Sequence, residues 1–251
     1  MPPRLIDAHL HLAEAAFADE AASVVRRAAD AGVRFLVCNG TRPEDWPRVL
    51  DLAQKHPEVV ACLGLHPWKA AEAPKDWLKT LGRMLKEAPS GVGEIGLDGA
   101  IEGPEALQEE CFRLQLRLAR KRRLPAMVHC VQAWGRLITV LKEEGPLPAG
   151  FLLHAYGGSP EMVGPLAGLG ACFSFSAVGL GAGREKSLAS LKAVPLDRLL
   201  LESDSTSPES GPESLPLALR RAAAHLGEEE SFLADRLWEN AQKFFGKLLE
   251  R

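Results

Sequence analysis

The sequence predicts an α/β fold, a (β/α)8 TIM barrel of parallel strands with extra C-terminal helices. Eight short runs rich in Val, Leu and Ile recur along the chain, and segments of helical apolar spacing separate them. A length of 251 residues is that of eight strand-helix units closing a barrel, whereas a doubly wound sheet of this length would use about five to seven strands.

In chain order the runs are Leu5 to Ala8, Val33 to Cys38, Val59 to Leu65, Val92 to Leu97, Ala126 to His129, Phe151 to His154, Ala171 to Phe175, and Leu199 to Leu201. Leu50, Leu52 and Ala53 mark one intervening helix, and Leu107, Cys111, Leu114 and Leu118 mark another. Two helices follow the last strand, over Ser214 to His225 and Glu228 to Leu249. No Pro/Gly/Ser-rich linker divides the chain, and Pro208 to Pro216 is short enough to be a loop, so residues 1–251 are expected to form one barrel domain.

An apolar content of 46% with 25% charged residues excludes a disordered chain. Thirty basic against thirty-three acidic residues give a net charge of -3, so no global basic field exists and a nucleic-acid substrate must be gripped locally. No run reaches the ~18 apolar residues of a membrane span, and Met1 to Asp7 lacks the apolar stretch of a signal peptide. With five cysteines (Cys38, Cys62, Cys111, Cys130, Cys172) and no C-x-x-C pair, a reducing, cytoplasmic setting with no membrane partner is expected.

In a barrel the strand ends and the loops after them form the face where chemistry takes place. Strand one ends Asp7-Ala8-His9-Leu10-His11, and period-two alternation points residues 7, 9 and 11 to one side, bringing two imidazoles to one point. Strand three ends Gly64-Leu65-His66-Pro67 and strand four Gly93-Glu94-Ile95-Gly96-Leu97-Asp98. Strand five ends at His129, strand six at His154 and strand eight at Glu202-Ser203-Asp204. Of seven histidines, only His56 and His225 fall near helix ends instead. A single His-x-His pair reads equally well as a hydrogen-bonded pair. Six such side chains in one barrel mouth are another matter: they form a costly desolvated polar set unless cations neutralise the carboxylates and occupy the imidazole lone pairs.

These motifs, in this order and over nearly the whole chain, resemble the TatD-related metal-dependent hydrolases of the amidohydrolase superfamily. The resemblance rests on Asp7-x-His9-x-His11, Gly64-x-His66-Pro67, Gly93-Glu94-x-Gly96-Leu97-Asp98, His129 after Pro125, His154 after Phe151-Leu152-Leu153, and Leu200-Leu201-Glu202-Ser203-Asp204. It implies hydrolysis of phosphodiester bonds at two divalent metal ions, with DNA ends or short oligonucleotides as substrate and no protein partner. It also implies that His9, His11 and Asp204 hold one ion, that His129 and His154 hold the other, and that Glu94 bridges them. Asp204 and Glu94 are then catalytic, Asp204 taking the proton of the attacking water, and His66 points at a substrate phosphate oxygen. Imidazole and carboxylate ligands favour Mn, Zn or a similar ion over Mg on softness, and metal identity stays open among them. Many related amidohydrolases bridge their metals with a carboxylated lysine, but no lysine lies at these strand ends, and Glu94 offers an anionic bridge directly.

Three departures bear on substrate. His129-Cys130-Val131 stands where the family often has His-x-Arg, Gly99-Ala100 follows Asp98 in place of an aromatic, and the loop Ser207 to Ser214 is acidic and short. They keep a second reading open, a metal-dependent amidohydrolase or esterase acting on a small molecule. Trp68 is placed to stack on a base. Arg113, Arg117 and Arg120, at helical spacing ahead of strand five, are expected to be structural charges remote from the mouth.

Overall fold

A computed structural model describes residues 3–250. Its eight strands lie parallel in one sheet, in sequence order from first to last. They are β1 (Leu5–Leu10), β2 (Val33–Asn39), β3 (Val59–Leu63), β4 (Gly91–Asp98), β5 (Ala126–Val131), β6 (Phe151–Leu153), β7 (Ala171–Ser176) and β8 (Leu199–Glu202). Helices alternate with them: α1 (Ala21–Asp30), α2 (Trp46–Lys55), α3 (Trp77–Glu87), α4 (Glu105–Arg122), α5 (Trp134–Glu144), α6 (Pro160–Gly168) and α7 (Glu185–Ala193). Two more follow β8, α8 (Leu215–Leu226) and α9 (Glu230–Phe245), with a short 3-10 turn at Gly246–Leu249. Every strand core falls on an expected run, but β3 and β6 end early, leaving His66 and His154 just beyond their strands.

The barrel closes where β8 meets β1. The Asp204 amide donates to the His9 carbonyl at 3.0 Å, and the His11 amide donates to the Ser205 carbonyl at 2.9 Å. The seam is thus built from the same stretch of chain that carries three of the expected site residues.

Two apolar clusters flank the sheet. Strand residues such as Leu36, Leu63 and Phe173 pack against the helix layer. Inside the barrel, Ile6, Ala8, Val37, Val60, Met127, Leu152 and Leu200 meet Phe244 and Phe245 from the end of α9 and Leu248 from the turn after it. The last helix therefore plugs the bottom of the barrel, and each fully buried large side chain there contributes roughly 1.5–3 kcal/mol. Plain alternation does not run unbroken through β1. Its register against β2 shifts between Asp7 and Leu10, and Leu10 and Leu12 belong to the helix-side cluster.

Candidate metal centre at the barrel mouth

Glu94 sits at the centre of the mouth, buried, its amide donating to the Gly40 carbonyl at 2.8 Å. Two glycines let the backbone reach it. A Cβ at Gly64 would come within 2.6 Å of the Glu94 carbonyl oxygen, and one at Gly96, whose φ is +146°, would meet the His129 carbonyl oxygen at 2.0 Å. A Cβ at Gly93 would likewise come within 2.6 Å of the Met127 Cβ, so both glycines of Gly93-Glu94-Ile95-Gly96 are packing requirements between β4 and β5.

The two oxygens of Glu94 face different histidines. Oε2 lies 3.2 Å from His11 Nε2 and 3.5 Å from His9 Nε2, while Oε1 lies 2.7 Å from His154 Nε2 and 3.0 Å from His129 Nδ1. Within each pair the nitrogens are 3.2 Å apart for His9 and His11 and 3.3 Å apart for His129 and His154. Such spacings match neighbouring ligands on one ion with bonds of about 2.1 Å. Asp204 Oδ1 is 4.0 Å from His9 Nε2, 3.9 Å from His11 Nε2 and 4.0 Å from His154 Nδ1, facing both pairs from the β8 side. Its φ of +51° is the left-handed region, which Asp and Asn tolerate better than other side chains.

Hydrogen bonds on the far side of each ring fix which nitrogen offers a lone pair. His11 Nδ1 is 3.3 Å from the Asn39 carbonyl, which can only accept, so Nδ1 carries the proton and Nε2 is free to ligate. His129 Nε2 is 3.1 Å from Asp98 Oδ2, leaving Nδ1 free. His66 is the reverse case. Its Nδ1 accepts from the Trp68 amide at 3.2 Å, so Nε2 bears the proton and is a donor where it meets Glu94 Oε1, 3.2 Å away. His66 thus belongs to the cluster by position and differs from its neighbours in tautomer. His9 Nδ1 and His154 Nδ1 are buried without a hydrogen-bond partner, and the two rings stack with centroids 3.8 Å apart.

Charge follows this arrangement. Burial raises the Glu94 carboxyl, but the histidines around it outweigh burial and hold it well below the usual range. Burial pushes His11 down, yet Glu94 and Asp204 carry it up to about 9, and Glu94 with Asp98 raises His129 in the same way. Burial dominates at His9 and His66, which are lowered. Protons and divalent cations therefore compete for the same lone pairs around one anion.

The structure brings His9, His11, His66, Glu94, His129, His154 and Asp204 together, and Asp7 plays a different part. Its carboxylate accepts from the Ser203 and His9 amides at 2.9 and 3.3 Å, bracing β8 against β1, and burial raises it to about 7. Glu202, raised well above its usual range by burial and by the charge of Asp204, is likewise occupied by the Ala155 amide and the Ser174 hydroxyl.

The cavity above the cluster is about 370 Å³, and its wall includes Thr41, Arg42, Trp68, Lys69, Glu14 and Thr206. Sequence reasoning missed Arg42 and Lys69, because a single cation in a loop carries no periodic signal. No residue of the acidic loop Ser207 to Ser214 lines this cavity, which Thr206 borders just ahead of it; Glu213 is turned away to Arg27, whose Nε donates to it at 2.8 Å. The expected structural arginines are paired outside the mouth, where Arg113, Arg117 and Arg120 surround Glu144.

A parallel barrel with imidazoles and carboxylates at its strand ends is the framework of a metal-dependent hydrolase, and the comparisons agree. The family described as TatD related DNase matches residues 6–246. A 3'-5' ssDNA/RNA exonuclease TatD of Erwinia tasmaniensis is 31% identical over 260 residues, covering 96% of this chain and 99% of that protein. A Bacillus subtilis protein described as a metal-dependent hydrolase is 28% identical, over 96% of this chain and 98% of its own length. The crystal structure of the TatD homologue YJJV from Escherichia coli superposes with a TM-score of 0.90 at 27% identity, over 98% of this chain and 99% of that one. This chain belongs to the TatD related DNase family and is a metal-dependent hydrolase acting on ester bonds. No helix among the described residues is long and apolar enough to cross a membrane.

Proposed function

We propose that this chain is a two-metal phosphodiesterase acting on DNA ends or short oligonucleotides. The observation that carries this reading is the division of Glu94 between two histidine pairs, one oxygen to each, which is the geometry of a carboxylate bridging two cations. His9, His11 and Asp204 would hold one divalent ion, Mn, Zn, Mg or similar, and His129 and His154 the other. Paired ions supply a more acidic water and stabilise charge on the attacking and leaving oxygens of a phosphodiester.

The protein's own groups do the rest. Asp204, partly exposed at the rim and reaching both histidine pairs, accepts the proton of the attacking water. His66, whose one N–H is on Nε2 and meets Glu94, would turn that donor to a non-bridging phosphate oxygen once the Glu94 carboxylate is taken up by the ions. Asp98 and the Asn39 carbonyl keep His129 and His11 in the ligating tautomer. Relatives that align over 96% of the chain at 30–31% identity and are named 3'-5' ssDNA/RNA exonucleases support nucleic acid as the substrate.

Half-exposed Val131, where the resemblance calls for a cation, favours the rival reading of a small-molecule amidohydrolase or esterase. Metal-reconstituted protein incubated with 3'-labelled and 5'-labelled single-stranded DNA, beside a panel of small esters and amides, separates the two. The nuclease reading expects stepwise shortening of DNA from one end, and turnover confined to the small esters or amides would overturn it.

A further inference from the structure

The cavity is polarised. Its acidic wall residues outside the histidine cluster, Glu14 and Asp204, come from the β1 and β8 ends, while Arg42 and Lys69 follow β2 and β3. Neither cation is held by a short ion pair among the described residues. Among the described residues no side-chain hydrogen bond or ion pair within 4 Å engages the Arg42 guanidinium; it acts at longer range on Asp45, whose carboxylate is held by the Thr41 amide and hydroxyl at 2.9 and 2.8 Å. Among the described residues the Lys69 ammonium pairs only with Glu72, at 4.0 Å. Trp68 lines the same cavity against the cluster, 55% exposed, its indole Nε1 tethered to Asp98 Oδ2 at 2.6 Å and its ring edge-on to His66.

Beyond Arg42 and Lys69 the surface continues into a smaller cleft of about 130 Å³, which shares these two residues with the mouth. Its wall also carries Glu44 and Glu72. A polyanion lying in the mouth therefore has a tethered aromatic plane and the cations Arg42 and Lys69 on its wall, and past these two residues it meets carboxylates that repel any further phosphate.

Resting on the phosphodiesterase reading above, we infer that Arg42 and Lys69 clamp a single phosphate one nucleotide away from the scissile bond, with Trp68 stacked on the nucleoside between. The clamp takes the place of the cation absent after β5, and Glu44 and Glu72 end the track. The substrate side lying here is then a terminal nucleotide carrying its own phosphate, and the longer strand leaves by another side of the mouth.

The test compares thymidylyl-thymidine with its 5'-phosphorylated and 3'-phosphorylated forms, which share one scissile bond and differ only in the outer phosphate. The wild type should prefer one phosphorylated form over the plain dinucleotide by about tenfold or more in kcat/KM, as expected of a charge-assisted contact. In R42A/K69A that preference should fall toward unity, and R42K should restore part of it; both positions are solvent-accessible, and an unchanged Tm shows that the fold is intact. Equal turnover of the three dinucleotides by the wild type, or a preference retained by R42A/K69A, overturns the clamp alone. Inertness of all three while a longer single strand is cut also overturns it. Failure to cut any oligonucleotide, with small esters turned over, overturns the underlying reading.

Discussion

Glu94 and Glu144 are both carboxylates ringed by basic side chains, one in the barrel mouth and the other between α4 and α5. Around Glu144 the ring is Arg117 at 2.7 and 2.9 Å with Arg113 and Arg120 at 3.4 Å. Guanidinium groups bring permanent charge and only donors, so the carboxylate is matched within the fold, and the Arg117 hydrogen bonds in particular hold it below its usual range. Around Glu94 the ring is imidazole, and each lone pair that faces the carboxylate is an acceptor facing an acceptor unless a proton or cation intervenes. One site is complete as folded. The other has its donors arranged for something the chain does not itself supply, and that difference separates a structural ion-pair network from a metal centre.

The comparison can be broken at either carboxylate's ring. The largest effect is expected at Asp204. Replacement by Asn removes the proton acceptor and keeps a side chain that tolerates the left-handed backbone there, so turnover should fall at least about a hundredfold while the melting temperature holds. Steady-state kinetics with thermal unfolding on the same sample checks this, and near-wild-type turnover assigns the proton elsewhere. His66→Ala comes next, with kcat/KM lowered roughly ten- to a hundredfold and metal content unchanged, because its Nε2 is a donor and not a ligand. Loss of a metal equivalent in that variant would move His66 among the ligands.

Glu144→Gln should have the smallest effect and one confined to stability, a fall of about 2–4 °C in Tm with hydrolysis unaltered. Its pH dependence has a definite sign. The folded carboxyl is more acidic than the unfolded one, so in the window between them the unfolded chain binds more protons. The stabilising contribution is full above the ordinary glutamate range and disappears as pH falls through the lowered value. Denaturation of wild type and variant at neutral and acid pH should show the gap closing on the acid side, and a gap that widens there would refute the assignment.

Strand positions were legible because parallel strands covered on both faces read as continuous apolar runs, and Val59 to Leu63 or Phe151 to Leu153 needed no further clue. The site histidines were legible because each terminates such a run. Less legible was what holds them. The partner of His11 is a backbone carbonyl, which no side chain announces, and the separate fate of Asp7 depends on a register shift that breaks simple alternation in β1. The acidic loop after β8 looked like part of the mouth, but Glu213 pairs with Arg27, a contact between residues far apart in sequence that composition could not foretell.

The most direct measurement is metal content per chain after reconstitution and desalting, for the wild type, Glu94→Gln and Glu144→Gln, with hydrolysis assayed before and after chelation. Two divalent ions in the wild type and in Glu144→Gln, no more than one in Glu94→Gln, and activity lost on chelation and regained with Mn or Mg are the expected results. A metal-stripped wild type that still hydrolyses its substrate at full rate, or a Glu94→Gln chain that keeps both ions, would contradict the account.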